Sequence, residues 1–163
     1  MRVNLVSGST GAGKTTFARK LAEERQAVRF SIDEWMNNLY WPDQEPGVDY
    51  RWAIERVERC ERQIWANALE VLRCGRDVIL DLGFTEKRQR ARFAKLAEEA
   101  GEELVTYYVA ADPDVRRARV RQRNDEKRET FEFEVTDDMF EFMEGIFEPP
   151  TDDETGELET IQT

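Results

Sequence analysis

Eight residues near the N-terminus have the types and the spacing that phosphate binding needs: Gly8-Ser9-Thr10-Gly11-Ala12-Gly13-Lys14-Thr15. They fit the pattern G-x-x-x-x-G-K-[ST] and lie between a short apolar run and a helical pattern, the context in which this pattern forms a phosphate-binding loop. Glycine lets the backbone turn tightly and point successive N–H groups at one anion. Lys14 can reach the outer phosphates, and the Thr15 hydroxyl can take one ligand position of Mg²⁺.

We therefore predict that a nucleotide binds at this loop. The residues expected to contact its phosphates are Gly8, Ser9, Thr10, Gly11, Ala12, Gly13, Lys14, Thr15 and Thr16. The sequence lacks the N-K-x-D motif that reads guanine, and this favours ATP over GTP as the cofactor. The structural alternative is an ordinary glycine-rich turn that begins a helix.

Asp81 follows the apolar residues 78–80, which is the Walker B arrangement. A carboxylate there can hold Mg²⁺ directly or through water, so we predict Thr15 and Asp81 as the magnesium-binding residues. The alternative for Asp81 is an acid that caps a turn. Leu82 comes next, where many ATPases that activate water have a glutamate, and this weighs against an ATPase.

Asp33 is the candidate general base. It follows the short predicted strand 28–31, and the carboxyl ends of strands in open α/β sheets form the edge where ligands bind. A carboxylate at that edge can orient a substrate hydroxyl and accept its proton while a phosphoryl group is transferred. Glu34 is the competing candidate, and a plain helix N-cap is the structural alternative for Asp33.

An arginine-rich segment, residues 116–124, offers cations for the phosphates. Helical spacing puts Arg116, Arg119 and Arg123 on one face. One interpretation is a lid whose arginines stabilise the charge of the transferring group, and we predict Arg119 and Arg123 as catalytic residues together with Lys14. The alternative is a solvated charged face.

Aromatic residues follow the candidate base in the sequence: Trp35, Tyr40, Trp41, Tyr50 and Trp52. Such a cluster suits the flat or apolar face of a phosphoryl acceptor. Plain helix packing explains the same residues equally well.

The composition of the chain argues against several kinds of active site and several cellular locations. The sequence has no histidine, which excludes a Ser-His-Asp triad and any His-ligated metal site. Cys60 and Cys74 are its two cysteines, and we expect free thiols in a reduced compartment, which predicts a cytoplasmic protein. No apolar run approaches the roughly 18 residues that a membrane span needs, and no signal-peptide pattern begins the chain, so we expect no membrane partner.

The net charge of −11 is unevenly distributed. Residues 129–163 contain 13 acidic residues and no lysine or arginine, whereas the other 128 residues contain 22 acidic and 24 basic residues. The acidic balance therefore belongs to the C-terminal segment. It weighs against nucleic acid as a partner, although a local basic cleft would be compatible with it.

Alternating strands and helices are needed to bring these side chains together. The patterns predict strands at 2–7, 28–31, 77–81 and 104–110, and helices at 14–25, 51–73, 113–124 and 137–147, with a further helix from Thr85 to Gly101. Residues 36–50 look irregular. This alternation predicts an α/β fold of three layers, with a mostly parallel central sheet and helices on both faces.

The chain resembles the small P-loop kinases that phosphorylate hydroxyl groups, and the resemblance covers about residues 1–150. The group includes the kinase domain of phage polynucleotide kinase, chloramphenicol phosphotransferase, the zeta-toxin kinases and many bacterial AAA-domain ATP-binding proteins. The element Ser31-Ile32-Asp33-Glu34 is similar to the S-x-D-E element of the family, whose aspartate is the general base. The run Asp81-Leu82-Gly83-Phe84-Thr85 followed by Arg88 resembles the stretch after its third strand, and Arg123-Asn124 and Lys127-Arg128 resemble its lid.

The resemblance implies a P-loop kinase domain at 1–150. Residues 151–163 are polar and acidic, and we expect a tail that is either disordered or ends in an edge strand around 158–162. The resemblance also implies an ATP- and Mg²⁺-dependent kinase that acts on a hydroxyl of a small-molecule or nucleotide-like acceptor. Two alternatives stay open: a non-enzymatic ATP-binding module or slow ATPase, and a nucleic-acid 5′-hydroxyl kinase. The polynucleotide kinase has an arginine shortly after its base, whereas residues 34–37 here contain none, so the nucleic-acid alternative loses support.

Overall fold

The computed structural model describes residues 1–45, 50–126 and 134–163, and a single parallel sheet runs through them. Its five described strands are β1 (Arg2–Ser7), β2 (Val28–Ser31), β3 (Val78–Asp81), β4 (Glu103–Ala110) and β5 (Glu157–Gln162). Their spatial order is β2-β3-β1-β4-β5, and every neighbouring pair is parallel. The predicted parallel α/β fold is confirmed.

Helices connect these strands. They are α1 (Lys14–Arg25), α2 (Ile32–Leu39), α3 (Tyr50–Arg73), α4 (Lys87–Ala100), α5 (Pro113–Glu126) and α6 (Asp137–Ile146), with a 3₁₀ turn at Trp41–Asp43. None of the helices in the described ranges has both the length and the apolar character to cross a bilayer.

Buried apolar side chains cover both faces of the sheet, as a central parallel sheet requires. On one face, Val3 and Leu5 of β1 pack with residues of α3 and α4 such as Ile64 and Phe93. On the other face, Val6 packs with the buried residues of α1 and with the neighbouring strands. The two cores give the three layers that the sequence predicts.

The segment after β2 is more regular than the sequence analysis expected. Residues 36–50 were predicted to be irregular, yet α2 extends to Leu39. Ser31 is the N-cap residue of α2, since its hydroxyl accepts a hydrogen bond from the Glu34 N–H at 3.4 Å. Asp33 is therefore in the first helical turn and is not the cap. The signal was present in the sequence, because Ser31 and Glu34 have the spacing of a capping box.

The helix predicted to begin at Thr85 begins at Lys87. Gly83 and Phe84 precede it in left-handed conformations, with φ of 85° and 45°, so the chain makes a tight turn before the helix begins. At the C-terminus, residues 157–162 form an edge strand on β4.

Candidate active site

The glycine-rich loop follows β1 at the carboxyl edge of the sheet, where β1 lies between β3 and β4. This is the position at which the connections leave the sheet towards opposite faces, and such positions form ligand crevices in open α/β sheets. Gly13 is the N-cap residue of α1, with φ of 91°, and Lys14 is the first helical residue. The N-terminal end of α1 therefore points at the loop, as an anion site needs.

Two glycines of the loop are required by close packing. A Cβ atom on Gly8 would lie 2.4 Å from the carbonyl oxygen of Val109 in β4. A Cβ atom on Gly11, whose φ is 79°, would lie 2.6 Å from the carbonyl oxygen of Arg116 in α5. The loop is thus held between β4 and α5, and a larger residue at either position would displace it.

Lys14 lies among the charged groups that the sequence predicted for the site. Its Nζ donates a hydrogen bond to the Ser9 carbonyl at 3.1 Å. Burial lowers the pKa of Lys14, the carboxylates of Asp81 and Asp33 partly oppose this effect, and Arg123 adds to the lowering. The ammonium is therefore poorly compensated in the free protein, and the negative charge of a bound phosphate would stabilise it.

A cavity of about 360 Å³ extends from the loop, within the size range of small-molecule sites. Among the predicted site residues, those that line it are Gly8, Ser9, Thr10, Gly11, Gly13, Lys14, Thr15, Thr16, Asp33, Arg119 and Arg123. Ala12 and Asp81 do not line it. Ala12 is buried in the core beneath the loop, and Asp81 is 5% exposed.

The two neighbouring acids after β2 have different surroundings. Asp33 is exposed and lines the cavity, and its charge acts on Lys14. Glu34 accepts hydrogen bonds from Arg29 at 2.8 Å and from Arg19 at 3.4 Å. Burial raises the pKa of Glu34, but the hydrogen bonds and charges of Arg29 and Arg19 together outweigh it and hold the pKa below its ordinary value. The geometry therefore assigns Glu34 to an ion-pair network and leaves Asp33 facing the cavity.

Asp81 belongs to the same network. Arg29 donates to its Oδ2 atom from Nε at 3.2 Å and from Nη2 at 2.9 Å. β2 and β3 are in register here, with Ser31 opposite Asp81, which brings the carboxylate next to the start of α2. Both hydrogen bonds end on one oxygen of the carboxylate. Together with the Thr15 hydroxyl, Asp81 supplies the hard oxygen atoms that Mg²⁺ prefers, so the residues present fit a magnesium ion that keeps several waters.

The three arginines predicted to share one face of α5 have different partners. Arg116 is buried and makes a bidentate ion pair with Glu144 of α6, at 2.6 and 2.5 Å. It also donates to the Thr10 carbonyl at 3.3 Å, so it braces the loop from behind. Arg119 and Arg123 line the cavity, and Arg119 donates to the Thr163 hydroxyl at 2.8 Å. Lys127 and Arg128 lie outside the described residues.

Contacts that the sequence analysis did not predict hold α6 over the cavity. The Ser9 hydroxyl in the loop donates to the same Glu144 carboxylate that pairs with Arg116. Just beyond α6, the Glu148 N–H donates to the Thr85 carbonyl at 2.9 Å, and its carboxylate accepts from the Lys87 N–H at 2.6 Å. These contacts join residues more than 60 positions apart, so no local pattern could have revealed them.

The turn after β3 brings Thr85 to the cavity. Phe84 has a positive φ, which is rare for a residue with a large side chain. Its ring is fully buried and packs edge-on against Phe93, and its carbonyl accepts hydrogen bonds from Ser7 Oγ at 3.0 Å and Arg90 Nη1 at 3.1 Å. The core thereby holds an unusual backbone conformation next to the loop, as is common at functional sites.

The aromatic residues after Asp33 pack as helix contacts. Trp35, Tyr40 and Trp41 lie against the core, Trp41 packs on Trp52, and the guanidinium of Arg56 stacks 3.9 Å from the Trp52 ring centre. None of these residues lines the cavity. The side chain of Tyr50 and residues 46–49 lie outside the described part of the chain. For the described members of the cluster, helix packing is the interpretation that fits.

A different group of residues gives the cavity its apolar wall: Val120, Val135, Met139, Met143 and Phe147. Val120 and Val135 are buried and pack with Phe140, so they also form a small core that joins α5 to α6. Met139 and Met143 of α6 and Phe147 just beyond it border the cavity, whereas Phe140 of the same helix is buried in this core.

Comparisons with known proteins agree with this architecture. A family model described as an AAA domain matches residues 3–150. No protein of curated function matches the sequence.

Solved structures of P-loop proteins share the fold. Chaetomium thermophilum Kti12 in complex with ADP-AlF3 is 20% identical, with a TM-score of 0.74 over 98% of this chain and 88% of that one. A sugar kinase from Janibacter sp. HTCC2649 is 18% identical (TM-score 0.66, coverage 99% and 85%). The APS kinase CysC of Mycobacterium tuberculosis, in complex with AMPPNP and APS, is 17% identical (TM-score 0.64, coverage 99% and 87%). The predicted resemblance to small P-loop kinases and the predicted three-layer fold are confirmed.

Proposed function

The chain belongs to the AAA-domain family, and from that premise we propose that it is an ATP- and Mg²⁺-dependent kinase. Its acceptor is a hydroxyl group of a small-molecule or nucleotide-like compound. One observation carries the proposal: the carboxylate of Asp33 faces the same cavity as Lys14 and Thr15 of the phosphate-binding loop. A site that only held ATP would not need an exposed carboxylate in the cavity that the phosphate-binding lysine lines.

The loop holds the triphosphate in this proposal. Backbone N–H groups of the loop and the N-terminal end of α1 bind the phosphates, and Lys14 binds at the β/γ end. The lowered pKa of Lys14 supports this role, because an ammonium that is poorly compensated in the free protein gains the most from an incoming anion. Arg123 and Arg119 line the cavity and stabilise the charge that spreads over the transferring group.

Thr15 and Asp81 would hold Mg²⁺ directly or through water, while Arg29 donates to the Oδ2 atom of Asp81. When bound, the ion neutralises negative charge on the outer phosphates. Arg29 keeps the carboxylate oriented before the nucleotide arrives.

Asp33 acts as the base. It accepts the proton of the acceptor hydroxyl as the acceptor oxygen bonds to the γ-phosphorus, the bond from that phosphorus to the β,γ-bridging oxygen breaks, and ADP leaves with that oxygen. Glu34, bound by Arg29 and Arg19, fixes the first turn of α2 and so positions Asp33.

A second candidate is an ATP-binding module or slow ATPase without an acceptor. The observation that favours it is the Arg29–Asp81 ion pair at 2.9 Å, which occupies part of the carboxylate that would hold the metal. For the whole chain we also propose a kinase domain at residues 1–150 with an acidic extension at 151–163, and a cytoplasmic location.

The test measures ADP formation from Mg-ATP with and without a mixture of alcohols. The mixture contains nucleosides, sugars, phenicol- and aminoglycoside-type antibiotics and 5′-hydroxyl oligonucleotides. A kinase forms ADP faster when its acceptor is present, and one component gains labelled phosphate. Equal ADP formation with and without the mixture would favour the ATPase, and tight ATP binding without turnover would favour the binding module.

A further inference from the structure

Three apolar side chains of α6 and its C-terminal flank face the cavity at helical spacing: Met139, Met143 and Phe147. Residues four apart lie on one helical face, so the three form a continuous strip. Met139 is 42% exposed and Met143 and Phe147 are half-buried, so the strip is accessible from the cavity. One wall of the cavity is therefore apolar and unsuited to binding phosphate.

The position of this strip can be fixed along the triphosphate. Lys14 Nζ contacts the Ser9 carbonyl, and the lysine of such loops reaches the β/γ-phosphates, so Ser9 lies beside the outer phosphates. The Ser9 hydroxyl donates a hydrogen bond to the carboxylate of Glu144, the residue that follows Met143. The strip therefore overhangs the reacting end of the triphosphate.

The same cavity contains two polar groups that are suited to a hydroxyl. Asp33 lines it from α2, and Thr85 lines it from the turn after β3. The Thr85 carbonyl accepts a hydrogen bond from the Glu148 N–H, and this contact holds Thr85 next to Phe147. The hydroxyl-binding groups and the apolar strip consequently border one space.

We propose that this space is the acceptor subsite, and that the acceptor is a small alcohol with an apolar or aromatic face next to its reactive hydroxyl. The proposal rests on the proposed kinase function. Asp33 and the Thr85 hydroxyl orient the reactive hydroxyl, while Met139, Met143 and Phe147 cover the apolar face. A polyol fits poorly, because its other hydroxyl groups would lose water against methionine and phenylalanine side chains and find no partners there.

Matched variants on one helix test the proposal. Met143→Gln and Met139→Gln introduce a polar group into the strip with little change in volume. Phe142→Gln is the control, because Phe142 is also in α6, is 55% exposed and does not line the cavity. The probes are 2-phenylethanol and chloramphenicol as apolar alcohols, and glycerol and gluconate as polyols, each with labelled Mg-ATP.

We expect labelled phosphate on an apolar alcohol and none on the polyols. Met143→Gln should raise the KM for that alcohol about tenfold and leave the KM for Mg-ATP unchanged, whereas Phe142→Gln should change neither. Phosphorylation of a polyol by the wild type that Met143→Gln and Met139→Gln leave unchanged would overturn the proposal.

Binding separates the failure of this inference from the failure of the kinase proposal. Saturation-transfer NMR with AMPPNP present detects the apolar alcohols without turnover. Suppose that an apolar alcohol binds the wild type, loses its binding in the Met143→Gln variant and is never phosphorylated. This result would support the subsite and count against the kinase. Neither binding nor transfer of any apolar alcohol, with ATP still bound, would refute the subsite.

Discussion

Gly11 illustrates how single residues set the shape of this site. It has a left-handed backbone, and its α-hydrogen faces the carbonyl oxygen of Arg116 where a Cβ atom would clash. Gly101, which ends α4, has a similar φ of 73° but open space around it. Alanine at Gly101 would therefore meet only the cost of the left-handed backbone, whereas alanine at Gly11 would meet that cost and the clash with Arg116.

Gly11→Ala should lower the free energy of unfolding by clearly more than Gly101→Ala. In Gly101→Ala the alanine is strained only by the left-handed conformation, at a cost of about 1–2 kcal/mol. In Gly11→Ala the new Cβ atom must also push α5 away from the loop. Urea unfolding of both variants measures the difference. Equal losses would show that α5 does not press on the loop.

The residues of the loop, Asp33 and the cavity-lining arginines could be predicted from the sequence because each follows a short pattern. The different positions of Arg116, which braces the loop, and Arg123, which lines the cavity, could not be predicted in this way. Spacing places both on one helical face, but only the fold brings Glu144 next to Arg116 and makes it a brace. Likewise, the aromatic cluster had the composition of a pocket, and its location in helix packing depends on tertiary contacts.

At the scale of elements, α6 is fastened to the loop through one carboxylate. Glu144 accepts from Arg116 and from Ser9, and these hydrogen bonds hold the pKa of Glu144 below its ordinary value near 4.5. A carboxylate with a lowered pKa stabilises the folded state fully above its unfolded pKa, and the stabilisation is lost as the pH falls through the folded pKa.

Glu144→Gln should therefore destabilise the protein by about 1–3 kcal/mol at pH 7, because buried Arg116 loses its charged acceptor. The wild-type and variant stabilities should converge as the pH falls below about 4.5, where Glu144 itself becomes protonated. Thermal unfolding from pH 7 to pH 3 measures this. Glu141→Gln is the matched control on α6: its carboxylate pairs with Arg117 at the surface, so the loss should stay below about 1 kcal/mol. A pH-independent gap for Glu144→Gln would contradict the assignment.

Element boundaries that depend on local patterns agree closely with the sequence. α1 spans the predicted residues 14–25 and β2 the predicted residues 28–31. α2 was missed because it is only eight residues long and a 3₁₀ turn follows almost at once, although its capping box was readable. The first turn of that helix is what carries Asp33.

The whole molecule separates charge between two parts of the chain. On α6, Asp137, Asp138 and Glu141 are exposed, and Arg117 and Arg121 of α5 make ion pairs with Asp137. A polyanion approaching the cavity therefore meets acidic side chains on one rim. This distribution favours a small acceptor over a nucleic acid.

We expect a 5′-hydroxyl oligonucleotide to bind no more tightly than about 10⁻⁴ M at physiological salt, the weak end of non-specific binding. Fluorescence anisotropy at several salt concentrations measures this. Micromolar binding that weakens steeply as salt rises would contradict the expectation and favour the nucleic-acid kinase.

The parallel sheet and the three layers follow from general rules of α/β folds, and the sequence was sufficient for them. The docking of α6 across the cavity was not predictable, because its anchors Glu144 and Glu148 reach residues far away in sequence. The predicted active residues are thus local in sequence, while the predicted substrate class depends on long-range packing.

The most direct measurement of the central claim is transfer of labelled γ-phosphate from Mg-ATP to the alcohol mixture by the wild type, Asp33→Asn and Glu34→Gln, with ATP affinity measured alongside. Asp33→Asn should bind ATP as the wild type does and lose transfer by about 10²–10⁴-fold, since the hydroxyl proton has no acceptor. Glu34→Gln should retain most of its transfer, because Glu34 acts only through α2. Undiminished transfer by Asp33→Asn, or a loss confined to Glu34→Gln, would contradict the assignment of Asp33 as the base.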